Sequence, residues 1–207
     1  CAVVAGSVKC WGYNGNGRLG DGTTTNSSTA VQVVGLGSGA ASVVVGGSHA
    51  CALLTSGAAK CWGYNGYGQL GDGTTTDSTT PVQVTGLSSG VTKLSAGSLF
   101  SCALFTTGTM KCWGNNSSGQ LGDGTATSSS TPVAVTMAGA TLTGINDMSL
   151  SLAGACVLRS GAAARCWGSN TYGQLGDGST FGRAEPMPVA ALASPSPGWK
   201  EVSLAAP

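Results

Sequence analysis

The sequence predicts an all-β protein, namely a β-propeller built from four-stranded antiparallel blades. Three observations lead to this prediction. The 207-residue chain repeats itself about every 51 residues, it is rich in glycine (35 residues) without a helical spacing of apolar residues, and each repeat holds a pair of cysteines around a short turn. A period near 50 residues falls in the range of propeller blades, whereas helical solenoids have shorter periods.

The repeats are clearest at the step Cys-Trp-Gly, which occurs four times. The cysteines of this step are 51, 51 and 54 residues apart, and a second series of four cysteines precedes them. Because neighbouring repeats of one kind bury a shared core, we expect residues 1–207 to form a single repeat domain. Its repeats are residues 1–50, 51–101, 102–155 and 156–207.

The segment "CALLTSGAAKC" of the second repeat predicts a β-hairpin, since two alternating apolar runs flank a Ser-Gly turn. With a three-residue loop that ends at Gly57 in the left-handed conformation, counting outward sets Cys51 opposite Cys61. Directly opposed strand positions lie within disulfide reach. The first repeat is one residue shorter, and a two-residue turn at residues 5–6 preserves the pairing of its cysteines.

All eight cysteines are expected to pair in this way, with one bridge in each repeat. The predicted bridges join Cys1 to Cys10, Cys51 to Cys61, Cys102 to Cys112 and Cys156 to Cys166. Each bridge closes a small loop and stabilises the fold by roughly 2–3 kcal/mol in the chain-entropy description. Disulfides persist in oxidising compartments, so we expect a secreted or cell-surface protein. Zinc is a poor alternative, because the chain has one histidine and no CxxC pair.

The stretch "CWGYNGYGQLGDGTTTDSTTPVQV", with "LSAGSLFSCAL" leading into the next unit, resembles the repeat of the regulator-of-chromosome-condensation family. Units of that family carry a Trp-Gly, an Asn, a Gly-Gln-Leu-Gly core and an Ala-Gly before the next strand. The resemblance covers the whole chain. It implies a propeller that commonly has seven blades, in which a strand from one end of the chain completes the blade begun at the other. The paired cysteines and the Asp-Gly-Thr-Thr-Thr extension look like the bacterial, exported branch of the family.

Four repeats then describe a partial propeller or a subunit of a larger assembly. The segment "WKEVSL" aligns with the strand that precedes a cysteine hairpin, so the strand at residues 199–204 is expected to complete the blade of the first hairpin. It does so in the same chain or in a neighbouring chain, where strand addition satisfies the open sheet edge. A third alternative is that the sequence is an excerpt of a longer propeller.

Positions that recur in every repeat are interpreted as scaffold, because a repeat architecture needs the same contact at each junction. The leucine of the Gly-x-Leu-Gly core fills the space between neighbouring blades. The tryptophan supplies a large apolar surface, and its indole N–H needs a carbonyl partner. The aspartate after the core is expected to bond downstream amides in an Asx turn. The structural residues are Trp11, Trp62, Trp113, Trp167, Leu19, Leu70, Leu121 and Leu175.

Function is expected where the repeats differ, in the loops that follow Trp-Gly. Aromatic side chains on loops of one face are typical of recognition surfaces. The candidate binding residues are Tyr13, Tyr64, Tyr67 and Tyr172. The alternative interpretation is that these tyrosines only cover the edges of their own loops.

Composition and residue pattern exclude several classes of function. Charged residues make up 8% of the chain and the net charge is +1, which argues against nucleic acid as a partner. No apolar run is long enough to span a membrane. We expect no catalytic residue, metal site or cofactor, because no nucleophile has a partner base and the aspartates recur singly in turns. His49 is interpreted as a hydrogen-bonded blade residue.

The sequence therefore predicts a non-catalytic extracellular module that binds a protein partner or acts in adhesion. The alternative is a structural subunit of a ring or filament, joined to copies of itself by exchange of the terminal strand. The Ser/Thr-rich loops also suit attached glycans. Asn26, Asn115 and Asn116 begin Asn-x-Ser sequons.

Overall fold

The computed structural model describes residues 1–160 and 162–190, and their regular structure is almost entirely β-strand. These residues form seventeen strands and one 3-10 helix, Gly15–Gly17. The predicted all-β class is confirmed. In the part of the chain that the structure describes, no helix is long and apolar enough to cross a membrane.

Fifteen of the described strands form four antiparallel sheets, named sheet A to sheet D in chain order. Sheet A consists of β1 (Ala2–Val4), β2 (Ser7–Gly12) and β3 (Ser27–Gln32). Sheet B consists of β4 (Ala40–Val45), β5 (His49–Leu54), β6 (Ala59–Gly63) and β7 (Ser78–Gln83). Sheet C consists of β8 (Val91–Ala96), β9 (Phe100–Phe105), β10 (Met110–Gly114) and β11 (Ser129–Ala134). A small hairpin follows, with strands β12 (Thr136–Met137) and β13 (Ala140–Thr141). Sheet D consists of β14 (Ile145–Leu150), β15 (Gly154–Arg159), β16 (Ala162–Gly168) and β17 (Arg183–Pro188).

Each four-stranded sheet is a meander, in which strands that follow one another in the chain also pair in the sheet. Its first strand comes before the cysteine hairpin, so the sheets are offset from the repeats by one strand. For example, β4 lies in the first repeat and pairs with β5 of the second. Sheet A has three described strands. Its predicted fourth strand, at residues 199–204, lies outside the described residues.

The hairpins have the register that the sequence predicts. Cys51 lies directly opposite Cys61, and Gly57 in the turn between them has a φ of 78°. In sheet A the two-residue turn consists of Ala5 and Gly6, with φ of 49° and 77°, as the turn type of such hairpins requires. The predicted cysteine pairs are the ones bonded in the structure. They are Cys1–Cys10, Cys51–Cys61, Cys102–Cys112 and Cys156–Cys166.

The Cys-Trp-Gly step marks an irregularity between the third and fourth strands of each sheet. In sheet B the pairing of β6 with β7 shifts register between Cys61 and Gly63, and the equivalent shift occurs in the other three sheets. Gly63 has a φ of 107°, which side chains other than glycine's rarely allow. A Cβ atom there would also lie 2.9 Å from the carbonyl oxygen of Ser48. The backbone therefore requires glycine at this position of the motif.

The hydrophobic core is divided into layers between neighbouring sheets. Each of the three layers contains the tryptophan of the following sheet, and Trp62, Trp113 and Trp167 are all 0% exposed. The indole N–H of Trp113 donates to the carbonyl oxygen of Gln69 at 2.9 Å, and the other two tryptophans bond the preceding loop in the same way. The leucines of the Gly-x-Leu-Gly loops are buried as well. They are Leu19, Leu70, Leu121 and Leu175.

Trp11 differs from these three tryptophans, since it is 50% exposed. In the later sheets the indole packs on the glycine-rich loop of the preceding repeat. A Cβ atom on Gly71, for example, would lie 2.7 Å from Nε1 of Trp113. Within the described residues, no loop of this kind precedes Trp11. The packing role predicted for Trp11 is therefore not observed there.

The two ends of the sheets carry different connections. At one end, named the loop face, lie the turns between first and second strands and the long loops between third and fourth strands. Backbone hydrogen bonds join turn to loop, as from Tyr64 N–H to the Ser48 carbonyl oxygen at 3.0 Å. At the other end, named the hairpin face, lie the cysteine hairpin turns and the connections from sheet to sheet. This topology places the predicted tyrosines on the loop face.

Candidate functional site

A buried asparagine organises each long loop of the loop face. The Nδ2 group of Asn65 lies 3.3 Å from Asp72 Oδ1, 3.2 Å from both the carbonyl and hydroxyl oxygens of Thr74, and 3.0 Å from the carbonyl oxygen of Thr76. Its Oδ1 accepts the backbone N–H of Leu70 at 2.9 Å. The side chain thus ties both arms of the loop to its centre. The same arrangement recurs around Asn14, Asn116 and Asn170.

The aspartate of each long loop closes the predicted Asx turn. Asp72 Oδ1 accepts the backbone N–H of Thr74 at 3.0 Å and its hydroxyl at 2.9 Å. In sheet D, hydrogen bonds from the Ser179 hydroxyl, the Arg183 guanidinium and the Ser179 backbone lower the pKa of Asp177 to about 2. These carboxylates are therefore engaged by their own loops. Among the described residues, no three His, Cys, Asp or Glu side chains are grouped as metal ligands.

Tyr13 and Tyr64 lie flat over their own loops. The ring of Tyr64 covers Gly66, where an added Cβ atom would collide with the phenol, and Tyr13 makes the equivalent contact in the first loop. In the third repeat the equivalent residues are Asn115 and Ser117, which are joined by a hydrogen bond of 2.9 Å. Tyrosine thus occurs where the loop offers glycine, and a polar pair occurs where it does not. This contact favours loop covering as the role of Tyr64, whereas Tyr13 makes the contact and is still 63% exposed.

Tyr67 and Tyr172 occupy a second position in the long loops and are 42% and 79% exposed. Phe181 lies in the same loop as Tyr172 and is 73% exposed. Phe181 was not among the binding residues predicted from the sequence. The signal was available, because the other three repeats have threonine at this position. The backbone there keeps its common role, since the Phe181 carbonyl oxygen accepts from Asn170 Nδ2 at 3.1 Å.

His49 and Ser101 meet at the junction of sheets B and C. Nε2 of His49 lies 2.7 Å from the hydroxyl oxygen of Ser101, and that hydroxyl donates to the carbonyl oxygen of Gln69 at 3.1 Å. The tautomer of His49 sets the direction of the bond between Nε2 and the hydroxyl, and the tautomer with the proton on Nε2 lets the hydroxyl donate to the carbonyl group. At the junction of sheets C and D the equivalent residues are Phe100 and Ala155. A polar pair therefore replaces an apolar pair at one junction.

This Ser-His contact joins two sheets and is enclosed between them. Both side chains are 1% exposed, so a substrate has no access to them. The interpretation of His49 as a hydrogen-bonded blade residue agrees with this geometry. Its partner Ser101 was not identified from the sequence.

We expect the protein to lose stability as the pH falls from about 6.5 to about 4. Burial, and then the charge of Arg18, lower the pKa of His49 from 6.5 to about 4, and its Nδ1 has no hydrogen-bond partner. Between these pH values the unfolded chain binds a proton that the folded chain does not bind, so acid favours unfolding. The shift corresponds to about 3 kcal/mol. Urea unfolding midpoints measured across this pH range report the effect.

The double variant His49→Phe/Ser101→Ala is the matched control, because it reproduces the Phe100 and Ala155 pair of the next junction. It removes the titrating group and leaves the carboxylates in place. We expect its unfolding midpoint to depend much less on pH between about 6.5 and 4. A wild-type slope equal to that of the variant in this range would refute a role for His49.

Two of the three sequons are unsuited to carry sugar in the folded protein. Asn116 is 0% exposed and forms the central amide of the third loop, and Asn115 is 8% exposed. A glycan on Asn116 would remove the hydrogen bonds that hold its loop. Glycans on the Ser/Thr-rich loops stay a prediction, and burial disfavours these two sequons as their sites. Asn26 is exposed, and only its oxygen is engaged, by the backbone N–H of Asn14 at 2.8 Å.

Two profiles of the Regulator of chromosome condensation (RCC1) repeat match the chain. The first matches residues 5–53, 57–104 and 166–204, and the second matches residues 40–69 and 91–120. The first profile alone covers more than half of the 207 residues. The resemblance drawn from the sequence motifs is thereby confirmed.

Two curated relatives show how much of a longer protein the chain can match. The chain is 31% identical over 204 residues to the ultraviolet-B receptor UVR8 of Arabidopsis thaliana. The alignment covers 93% of the chain and 45% of that protein. The chain is 32% identical over 197 residues to the E3 ubiquitin-protein ligase HERC2 of Homo sapiens. This alignment covers 93% of the chain and 4% of that protein. The chain spans less than half the length of either relative.

Two solved structures share the fold. Human WBSCR16 superimposes with a TM-score of 0.77 at 22% identity, over 90% of this chain and 49% of that chain. Yeast RCC1 (Prp20), in a structure with Kap60, superimposes with a TM-score of 0.76 at 24% identity, over 90% of this chain and 46% of that chain. Together with the four-stranded sheets, this likeness shows a β-propeller fold built from these repeats.

Proposed function

The chain belongs to the regulator of chromosome condensation (RCC1) repeat family, and we propose that it is a non-catalytic module that binds a protein through its loop face. The observation that carries the proposal is the exposure of Tyr172 and Phe181, at 79% and 73%, on a single loop. The buried asparagine beneath them holds that loop in one shape. Large aromatic groups are thus presented to solvent on a rigid support.

The chemistry of this loop fits a protein partner. Tyrosine and phenylalanine supply a large contact area with only two side-chain dihedral angles to fix, so little conformational entropy is lost on binding. Such residues are enriched among those that dominate protein interfaces. Serine and threonine side chains flank the aromatic pair and suit a polar rim. With a net charge of +1, the chain offers no strong field to attract a polyanion.

The relatives support binding of a protein as a use of this fold, and nothing more specific is transferred. The yeast structure contains Kap60 bound to RCC1, a protein that shares this fold. The receptor and ligase activities named for UVR8 and HERC2 belong to proteins of which the chain covers 45% and 4%. Fold alone does not give function, and the proposal depends on the loop itself.

The absence of catalysis in this proposal is supported by the burial of Ser101 and His49, which are each 1% exposed. The location proposed is outside the cell or on its surface. Four disulfides are stable in an oxidising compartment and rare in a reducing one. The likeness to a bacterial, exported branch of the family is consistent with this location and stays a prediction.

Site-specific cross-linking tests the proposal. With the photoreactive residue p-benzoylphenylalanine at position 172, we expect covalent capture of a protein from the medium or cell surface of the source organism. The matched control carries the same residue in place of Thr107, which is exposed in a turn of the hairpin face. Mass spectrometry then compares the products of the two positions.

The expected result is a product that depends on position 172 and that decreases at least tenfold when Phe181→Ser is added. This second substitution removes an exposed ring without touching the core, so the fold should persist. Equal products from positions 172 and 107 would mean non-specific capture and would contradict the proposal. So would a product that is unchanged by Phe181→Ser.

Assembly with copies of the chain is the second candidate function. The exposed indole of Trp11 favours it, because the same side chain is buried between sheets at the three later positions. A glycine-rich loop from another subunit would satisfy this surface as loops within the chain satisfy Trp62 and Trp113. The strand at residues 199–204, through which such subunits would be joined, lies outside the described residues. Protein binding through the loop face is therefore the preferred function.

A further inference from the structure

A pocket of about 270 Å³ opens among the turns between first and second strands. These turns belong to sheets B, C and D, whose first strands contact one another from β4 to β8 and from β8 to β14. The pocket therefore lies on the loop face, at the ends of the first strands β4, β8 and β14. Its lining residues are Val45, Gly46, Gly47, Ala96, Gly97, Ser98, Leu150, Ser151 and Leu152.

The lining is one three-residue segment taken from three successive repeats. Counted back from the first cysteine of each hairpin, the segments are residues 45–47, 96–98 and 150–152. The third position of the segment changes from glycine to serine to leucine, and Leu152 is 50% exposed. The tryptophan, leucine and buried asparagine positions of the scaffold repeat unchanged, whereas this position diverges. Divergence at a shared pocket is the pattern expected of a binding site on a repeat protein.

Hydrogen bonds between the turns hold the pocket in shape. The backbone N–H of Gly47 donates to the carbonyl oxygen of Gly97 at 3.2 Å, and the N–H of Ser98 donates to the carbonyl oxygen of Leu152 at 3.1 Å. Each sheet is thus joined to the next at the pocket wall. A ligand would find the site formed before binding, and little ordering of the turns would be needed.

The chemistry of the lining restricts the ligand. None of the nine lining residues is ionisable, so the pocket has no partner for a phosphate, a carboxylate or an ammonium group. None is aromatic, and only two carry hydroxyl groups, which is a poor match for a sugar ring. The exposed side chains at the mouth, Val45 at 57% and Leu152 at 50%, are aliphatic. The complementary ligand is uncharged and apolar.

The size of the pocket selects the kind of apolar ligand. Sites for drug-sized molecules usually occupy about 300–1,000 Å³, whereas an apolar cavity of about 150 Å³ accommodates benzene. At about 270 Å³, the pocket suits one branched aliphatic or aromatic side chain with part of its backbone. Small apolar pockets that take a single side chain are common at the centres of protein interfaces.

We propose that this pocket receives one leucine-sized or phenylalanine-sized side chain from a loop of the protein partner. The inference rests on the proposed function and specifies the chemistry of the partner. The inserted side chain is buried among Ala96, Leu150 and Leu152, and the Ser98 hydroxyl is within the lining to bond its main chain. The Ser151 hydroxyl donates to the carbonyl oxygen of Gly154 at 3.4 Å and can still accept a hydrogen bond. The aromatic loop of sheet D then contacts the partner outside the pocket.

Titration with single amino-acid analogues tests this inference without a known partner. The probes are N-acetyl-L-phenylalanine amide and N-acetyl-L-leucine amide, followed by two-dimensional ¹H–¹⁵N NMR of the labelled protein. The aspartate and lysine analogues are the charged controls. We expect saturable shifts at the amides of Gly47, Ser98 and Leu152, with binding of the apolar probes at least tenfold tighter than that of the charged ones. Non-saturable shifts, or charged probes that bind equally well, would overturn the proposal.

Two variants keep the test specific. Ala96→Phe fills the pocket at a position where the other repeats carry valine and leucine, so the strand should accept a larger apolar residue. It should abolish the shifts, whereas Thr107→Phe on the hairpin face should not. If Ala96→Phe disturbs the indole signals of the buried tryptophans, Leu152→Asp replaces it. That substitution should weaken the apolar probes at least tenfold and favour the lysine analogue, and unchanged binding would overturn the proposal.

The failures of the two proposals are distinguishable. If the apolar probes do not bind while cross-linking from position 172 is specific, the loop face binds protein without using the pocket. If the probes bind while cross-linking is non-specific, the pocket exists as a site and the proposed function is wrong. Each experiment therefore judges its own proposal.

Discussion

Replacing Gly71 by alanine is expected to destabilise the protein by about 3–5 kcal/mol. Gly71 has a φ of 71°, where a side chain is strained by roughly 1–2 kcal/mol. Its added Cβ atom would also lie 2.7 Å from Nε1 of Trp113 and 2.9 Å from Cγ1 of Val84. The indole would have to move, and the movement would break its hydrogen bond to the Gln69 carbonyl oxygen. The larger part of the loss therefore comes from the junction between sheets.

Gly86→Ala is the matched control for this prediction. Gly86 has a φ of 70°, nearly the same as that of Gly71, and an added Cβ atom there would meet nothing within 4 Å. Gly86→Ala should lower the free energy of unfolding only by the conformational strain, about 1–2 kcal/mol. Urea unfolding followed by tryptophan fluorescence, with the disulfides intact, measures both variants. Equal losses would mean that the contact between loop and indole contributes little to the fold.

The cysteine hairpins are a part of the fold that the sequence alone predicts in detail. The turn at Gly57 and the shorter turn at Ala5 and Gly6 are local, so counting residues outward from them was enough to pair Cys51 with Cys61 and Cys1 with Cys10. Strand pairing of this kind depends on two neighbouring segments and a turn type. The same locality explains why the Asx turns were also predicted correctly.

For contacts between repeats, the sequence predicts the type of interaction but not all of the residues that make it. The need of each indole for a carbonyl partner followed from burial alone. The partner itself lies 44 or 47 residues earlier in the chain, in the loop of the preceding repeat. Nothing local to Trp113 identifies Gln69 as that partner. The exposure of Trp11 was missed for the same reason, because the prediction treated all four tryptophans as equivalent.

The candidate site was predicted in its location and less well in its residues. Divergent loops on one face were expected, and Tyr172 is indeed highly exposed in such a loop. Phe181 and Ser101 were not predicted, because the loop prediction used the residues directly after Trp-Gly and His49 was interpreted without its partner in the next repeat. A position-by-position comparison of all repeats would have found threonine changed to Phe181. It would also have found that His49 and Ser101 depart from the apolar pattern together.

Asn116→Ala is expected to destabilise the protein by about 3–5 kcal/mol, which is unusually large for a residue in a loop. The side chain is 0% exposed, and its Nδ2 group lies 3.1–3.2 Å from oxygens of Asp123, Thr125 and Thr127. Its Oδ1 accepts the N–H of the buried Leu121 at 2.9 Å. Alanine would leave this buried N–H and the loop carbonyl oxygens without their partner. Each unsatisfied buried group costs about 1–3 kcal/mol.

Two further variants separate loss of the amide from loss of volume and from a general effect of asparagine. Asn116→Asp keeps the size of the side chain and removes its donors, and it places a second carboxylate 3.2 Å from Asp123 Oδ1, so it should destabilise at least as much as alanine. Asn146→Ala removes an exposed asparagine whose oxygen accepts only the Ser160 hydroxyl, and it should change the free energy of unfolding by less than about 0.5 kcal/mol. If Asn116→Asp were as stable as wild type, the amide donors would not hold the loop. The rigid support proposed for the equivalent loop of Tyr172 and Phe181 would then lose its basis.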